Sequence, residues 1–235
     1  MTPAARERLQ VRVPVLSISA AAWILIVFEP SSLAGHAHHS AAMMHHPTAA
    51  FAVSWTLMLA AMMAPLVIAP VRHVRNRSFA RRRARAVALF TAGYVSVWMG
   101  AGVVLTALAT ALRPAAMAAA LGITVALVWQ FSPMKQRCLN RGHAHPELAA
   151  FGAEADLGAL RFGWTHGLWC VGSCWALMLP PLLVSRGHVV AMAVASLWLY
   201  AERLDRPMPP RWRLRGPGKA ARLAAAQARM LLEGG

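Results

Sequence analysis

The chain has 235 residues, 58% of them hydrophobic and only 14% charged, with a formal net charge of +16. That balance excludes an ordinary soluble domain and places the chain with polytopic membrane proteins. The basic residues stand between apolar runs with no aromatic-interleaved basic face, so they read as orientation signals and no nucleic-acid partner is expected.

A helix needs about 20 apolar residues to cross a hydrocarbon core. Six stretches reach or approach that length: 13–28, 50–70, 86–109, 115–131, 163–184 and 188–204. The expected fold is therefore all-α, a membrane bundle of six transmembrane helices over residues 1–205. Arg6, Arg8 and Arg12 precede the first stretch, and "SSLAGHA" after it offers small residues that a signal peptidase accepts. Processed or not, residues from 36 onward begin outside. Lys and Arg number three before the first stretch, seven over 71–85, four over 132–161 and eight from 203 onward, against Arg113 and Arg186 alone in the alternate segments. The positive-inside rule then gives an N-in, C-in topology. The Ala- and Arg-rich composition fits a GC-rich bacterial genome, so the expected location is the bacterial cytoplasmic (inner) membrane, with the lipid bilayer as first partner. Beyond Pro207, Pro209 and Pro210, the basic tail 206–235 reads as a short amphipathic helix at the inner surface.

Soft donor side chains recur along this frame. The outer loop 29–49 contains His36, His38, His39, Met43, Met44, His45 and His46, a compositional metal-binding tract. The second stretch sets Met58 and Met62 four residues apart, with Met63 beside them and Met99 at similar depth on the third. Pro65 and Pro70 break its hydrogen-bond ladder and free carbonyls that need partners in lipid. After the fourth stretch come Cys138, His143 and His145, three potential legs of an inner site, with Lys135 and Arg137 placed to lower the thiol pKa. The fifth stretch steps His166, Cys170, Cys174 and Met178 along one face at four-residue intervals, each about 6 Å further along the axis. Thiolate, thioether and imidazole together suit Cu(I), with zinc a weaker second choice. The same residues also serve as plain packing, since Cys and Met are at ease in apolar cores. Three cysteines, none in an outer loop, give no disulfide framework. No Asp or Glu lies deep in any stretch, which argues against transport of Mg²⁺, Mn²⁺ or Ca²⁺. The Gly-Pro-Gly-Lys run at 216–219 lacks the spacing of a phosphate-binding loop, so no ATP-driven pump is expected.

The runs "WTLMLAAMMAP" (55–65), "AGYVSVW" (92–98), "QFSPMKQRCL" (130–139), "THGLWCVGSCWALM" (165–178) and "LYAERL" (199–204) resemble an uncharacterised bacterial family of predicted metal-binding integral membrane proteins. The resemblance covers about residues 36 to 205. It implies a bundle of six or seven helices with a metal, copper foremost, as ligand. Relatives carry further cysteines beside the one matching Cys138 and next to the one matching Cys174. Here those neighbourhoods hold Arg141, Gly142, His143 and Ser173, which leaves His143 or His145 as substitute donors.

The expected function is handling of Cu(I) for transport or delivery across the inner membrane. The outer tract collects the ion, Met58, Met62 and Met178 pass it to Cys170 and Cys174, and His166 leads toward Cys138, His143 and His145. A metallochaperone or membrane enzyme complex is the expected protein partner. Two alternatives stand beside it. One is a thiol oxidoreductase cycling Cys170 and Cys174, whose helical spacing of about 6 Å is within disulfide range. The other is a metal-free accessory or assembly subunit docking other helices through Gly93, Gly100, Gly102, Gly163 and Gly167.

Overall fold

The described residues of the apolar runs read from the sequence are almost all helical, the arrangement that lets a run of this composition satisfy its own backbone groups. The computed structural model describes residues 3–28, 47–112, 117–184 and 187–213, with 222, 225, 226 and 229 in the tail. Among these there is no strand. In chain order the helices are α1 (Pro3–Phe28), α2 (Pro47–Met63), α3 (Ile68–Arg77), α4 (Arg83–Leu112), α5 (Ala118–Phe131), α6 (Pro133–Gly142), α7 (Gly152–Leu183) and α8 (His188–Arg203). A 3-10 turn over Ala64–Val67 joins α2 to α3, and another over Ala80–Arg82 leads into α4.

Four helical segments are long and apolar enough to cross a membrane: Leu9–Phe28, Ala49–Arg77, Ala80–Leu112 and Gly152–Leu183. Large apolar side chains point outward along α1, α4, α5 and α8, among them Ile18, Val104, Leu127 and Leu197. α5 and α8, of 14 and 16 residues, reach only about 21 and 24 Å. At 32 residues, α7 extends about 48 Å, well beyond the hydrocarbon thickness. Its first turns, from Gly152 onward, belong to a segment the sequence reading left as an inner loop.

α6 is a second departure from that reading. Ser132 caps it, its Oγ accepting from the Lys135 backbone N–H at 3.1 Å, and Pro133 follows at the first helical position. Both are ordinary helix-start signals. The tail expectation falls mostly outside the described residues, where Arg222, Ala225, Ala226 and Arg229 alone are seen, all helical. The outer loop from residue 29 to 46, with His36, His38, His39, Met43, Met44, His45 and His46, lies wholly outside them.

The break at Pro65 is repaired from a neighbouring helix. Pro65 offers no N–H to the carbonyl of Ala61 one turn back. Ser19 of α1 donates to that oxygen instead, at 2.7 Å and fully inside the bundle.

The basic segments gather at one end. Arg75 donates to Gln10 at 2.8 Å, and the His73 ring is 2.8 Å from the Pro146 carbonyl. Arg82 and Arg85 both pair with Asp156 at 2.7 Å, and Asn140 donates to the Met208 carbonyl at 2.7 Å.

Glycines set the closest approach, between α4 and α7. A Cβ on Gly163 would stand 2.1 Å from the Phe90 carbonyl oxygen, and one on Gly93 would stand 2.5 Å from that of Leu160. Gly102 similarly receives the Trp55 ring, whose Nε1 donates to the Trp98 carbonyl at 2.9 Å. These small-residue faces are therefore filled by the chain's own helices, while Gly100 meets nothing within 4 Å. Because backbone cannot swing aside, Gly163→Ala should cost about 1–3 kcal/mol through overpacking. Gly100→Ala should be near neutral. Equal melting temperatures for the two variants in detergent would contradict this packing.

Candidate metal centre

The four-residue series on α7 points inward along its length. His166, Cys170, Cys174 and Met178 are all buried, and each thiol is 1% exposed. Facing them are Met58, Met62 and Met63 of α2, Tyr94 and Trp98 of α4 and Met192 of α8. Cys170, Cys174, Met178, Met58 and Met62 belong to one continuous buried cluster, with Met99 packed against it. The sulfur stripes of two helices thus both lie inside the bundle, in the same buried cluster.

At the centre the two thiols stand one helical turn apart on α7, both buried. All three cysteines are free. The Tyr94 hydroxyl lies 3.3 Å from Cys170 Sγ, and Ser173 Oγ lies 3.3 Å from Cys174 Sγ. Ser173 has a single proton, which it gives to the Cys170 carbonyl at 2.8 Å. Its lone pairs therefore face the Cys174 thiol and Arg203 Nη2, the latter at 3.4 Å. Two adjacent soft donors in a buried site, with the Tyr94 hydroxyl placed to donate to Cys170 Sγ, form a set that a soft monovalent ion fits.

His166 stands one turn away, against the rings of Phe90, Tyr94 and Phe162. Its Nδ1 is buried with no hydrogen-bond partner among the described residues. No three His, Cys, Asp or Glu side chains among the described residues converge closely enough to hold one ion. Cys170 and Cys174 are thus a pair of such donors without a third, with thioethers in the same buried cluster.

The inner trio does not assemble into three legs. Cys138 faces α7, where a Cβ on Gly172 would be 2.7 Å from its Sγ. His143 turns between the carbonyls of Leu139 and Arg203, at 2.9 and 3.4 Å. His145 instead meets His73, ring centroids 4.9 Å apart, while its Nδ1 contacts the His143 carbonyl. Burial and the neighbouring His73 hold the His145 imidazole below its ordinary pKa.

Lys135 does not serve Cys138 either. It is 0% exposed and pairs with Glu202 at 2.8 Å. Gln130 bridges the two, accepting from Lys135 and donating to Glu202, and Trp198 Nε1 donates to the same carboxylate at 3.2 Å. Arg137 is exposed, 3.6 Å from the Met134 sulfur. Burial therefore pushes the Cys138 thiol above its ordinary pKa, with Arg203 pulling weakly the other way. In a Cys170→Ser, Cys174→Ser background, Cys138 should alkylate about tenfold slower than a free thiol at pH 7.5. Thiolate, the reactive form, then accumulates only above the usual thiol range, so the rate should climb steeply past pH 9 or so. Fast labelling at neutral pH would contradict the burial.

Residues 52–225 match the family model described as PpoB2, copper chaperone. The chain belongs to this copper chaperone family. No curated protein and no solved structure matches it. The PpoB2 match takes in Met58, Met62, all three cysteines and Met178, and leaves the outer His/Met tract outside. It makes copper the metal of the family, in accord with the donor chemistry at Cys170 and Cys174.

Tyr94, Arg203 and His73 were not singled out as site residues from the sequence, and Ser173 stood out only as the residue next to Cys174 where relatives carry a further cysteine. Tyr94 and Arg203 stand inside "AGYVSVW" and "LYAERL", two of the runs shared with metal-binding relatives, and that was the available signal. Arg203 had counted only as an inner-face charge.

Proposed function

We propose that this copper chaperone is a six-span inner-membrane protein that binds one Cu(I) between Cys170 and Cys174 and hands it on to a partner. The observation that carries the reading is the buried pair of adjacent thiols, in one apolar cluster with Met58, Met62 and Met178.

Six spans follow if α5 and α8 cross alongside the four longer segments, using flanking residues and local thinning to make up their length. The meeting of Gln10, the 71–85 segment, residues 140–156 and Met208 at one end supports N-in, C-in, since all lie in segments read as inner. The outer tract, at the opposite end in this topology, collects the ion. Met58, Met62 and Met178 relay it, because thioethers bind Cu(I) loosely enough to release it to thiolate. From the pair, the ion leaves past His166, Cys138, His143 and His145 to a metallochaperone or a membrane enzyme complex. The 1–205 bundle is the working unit, and the 206–235 tail is a surface element.

The test is copper stoichiometry with X-ray absorption on the full chain, purified in detergent and loaded with Cu(I) under reductant. One tightly held copper in a sulfur-dominated shell is expected. Copper bound through nitrogen and oxygen alone would overturn the assignment.

A further inference from the structure

Arg203 ends α8, and its side chain turns back into the bundle. Gly142 of α6 makes room for it: a Cβ there would be 2.2 Å from Arg203 Nη1. The guanidinium contacts Ser173 Oγ at 3.4 Å and lies within electrostatic reach of Cys170. It also lies within electrostatic reach of Cys174, Tyr94 and Cys138. The neighbouring carboxylate, Glu202, is taken by Lys135. Among the described residues no carboxylate comes within ion-pair distance of Arg203.

A guanidinium stays charged at every pH of interest. Half-buried beside the interior thiols, it gains from a negative partner, and no carboxylate among the described residues supplies one. A basic residue at the inner end of a helix satisfies the positive-inside rule wherever its side chain points. Turning toward the buried Ser173 and the thiols beside it is the feature that rule leaves unexplained.

We propose that Arg203 sets the charge balance of the Cys170–Cys174 centre and thereby selects a monovalent soft cation over a divalent one. The inference rests on the copper-binding role of those two cysteines. When both thiols ligate Cu(I), two S–H bonds break, two Cu–S bonds form and two protons leave to the buffer. The resulting centre carries one negative charge, which the guanidinium cancels. Zinc in the same place leaves the centre neutral and the guanidinium without a counter-charge. At low effective dielectric that difference is large, so a site whose thiol ligands alone would also accept zinc becomes selective for Cu(I) or Ag(I).

The experiment compares the full-length wild type with Arg203→Gln and Arg203→Lys in detergent, titrating Cu(I) and Zn(II) separately against chromophoric chelators. Arg203→Gln should reduce the ratio of Cu(I) to Zn(II) affinity by about a hundredfold, and Arg203→Lys should restore most of it. The ratio comes from one preparation, so a partly unfolded fraction cancels. An unchanged ratio in Arg203→Gln, or failure of Arg203→Lys to rescue it, overturns the role of Arg203 while leaving copper on the cysteines. Wild-type protein that takes up no Cu(I), or a Cys170→Ser, Cys174→Ser variant that binds as wild type does, overturns the copper reading itself.

Discussion

Serine at both Cys170 and Cys174 should take the protein from one chelator-resistant copper per chain to none. The two side chains are nearly isosteric with cysteine, and each position has a hydrogen-bonding neighbour that accepts a hydroxyl: Tyr94 beside the first, Ser173 beside the second. Folding should therefore change by only about 1–2 kcal/mol, whereas a hydroxyl is a hard, protonated donor with little affinity for Cu(I). Each single substitution should leave one thiol and a copper that a chelator strips readily. Met62→Leu and Met178→Leu, which keep volume but remove sulfur, should slow loading while leaving the final stoichiometry at one. Elemental analysis after chelator challenge reads the first effect, and stopped-flow uptake the second. Retention of a resistant copper in the double variant would remove the centre from α7 altogether.

The largest stability effect is expected at the buried ion pair between α6 and α8. Lys135 and Glu202 are 0% and 2% exposed, with Gln130 and Trp198 completing the network. Glu202→Leu strands an ammonium in that interior, and Lys135→Met strands a carboxylate. Each should destabilise by about 3–5 kcal/mol. Replacing both together, with Met at 135 and Leu at 202, removes both charges and should recover most of that loss, because a buried pair gains little over well-packed apolar groups. Thermal unfolding of the four proteins in one detergent closes the cycle. A double variant as unstable as the sum of the singles would show that the two groups act independently.

Much of the frame was legible because apolar runs have few alternatives in a chain of this composition. The stripes on α2 and α7 were legible for a related reason: a four-residue repeat fixes a helix face, and the faces carrying Met58 and Cys170 could be matched in depth from topology. Boundaries fared less well. α7 begins at Gly152 because the amphipathic turns up to Arg161 are helical without being apolar, so a hydropathy window passes over them. α6 was hidden by its charge, although Ser132 and Pro133 mark its start.

Contacts between helices were the least readable. Lys135 and Cys138 lie three residues apart, which invites a pairing, yet the ammonium is drawn to a carboxylate 67 positions further along the chain. Arg203 and Tyr94 reach Cys170 from separate helices, and no periodicity encodes that convergence. His73 meets His145 in the same way, from a stretch that read as nothing more than basic.

The hydrogen bond from Ser19 to Ala61 ties the first helix to the second by more than apolar contact. Ser19→Ala would remove the hydroxyl that covers the gap left by Pro65 and leave a fully buried carbonyl without that partner, at a cost of about 1–3 kcal/mol. The proline bend in α2 thus makes α1 a structural part of the bundle.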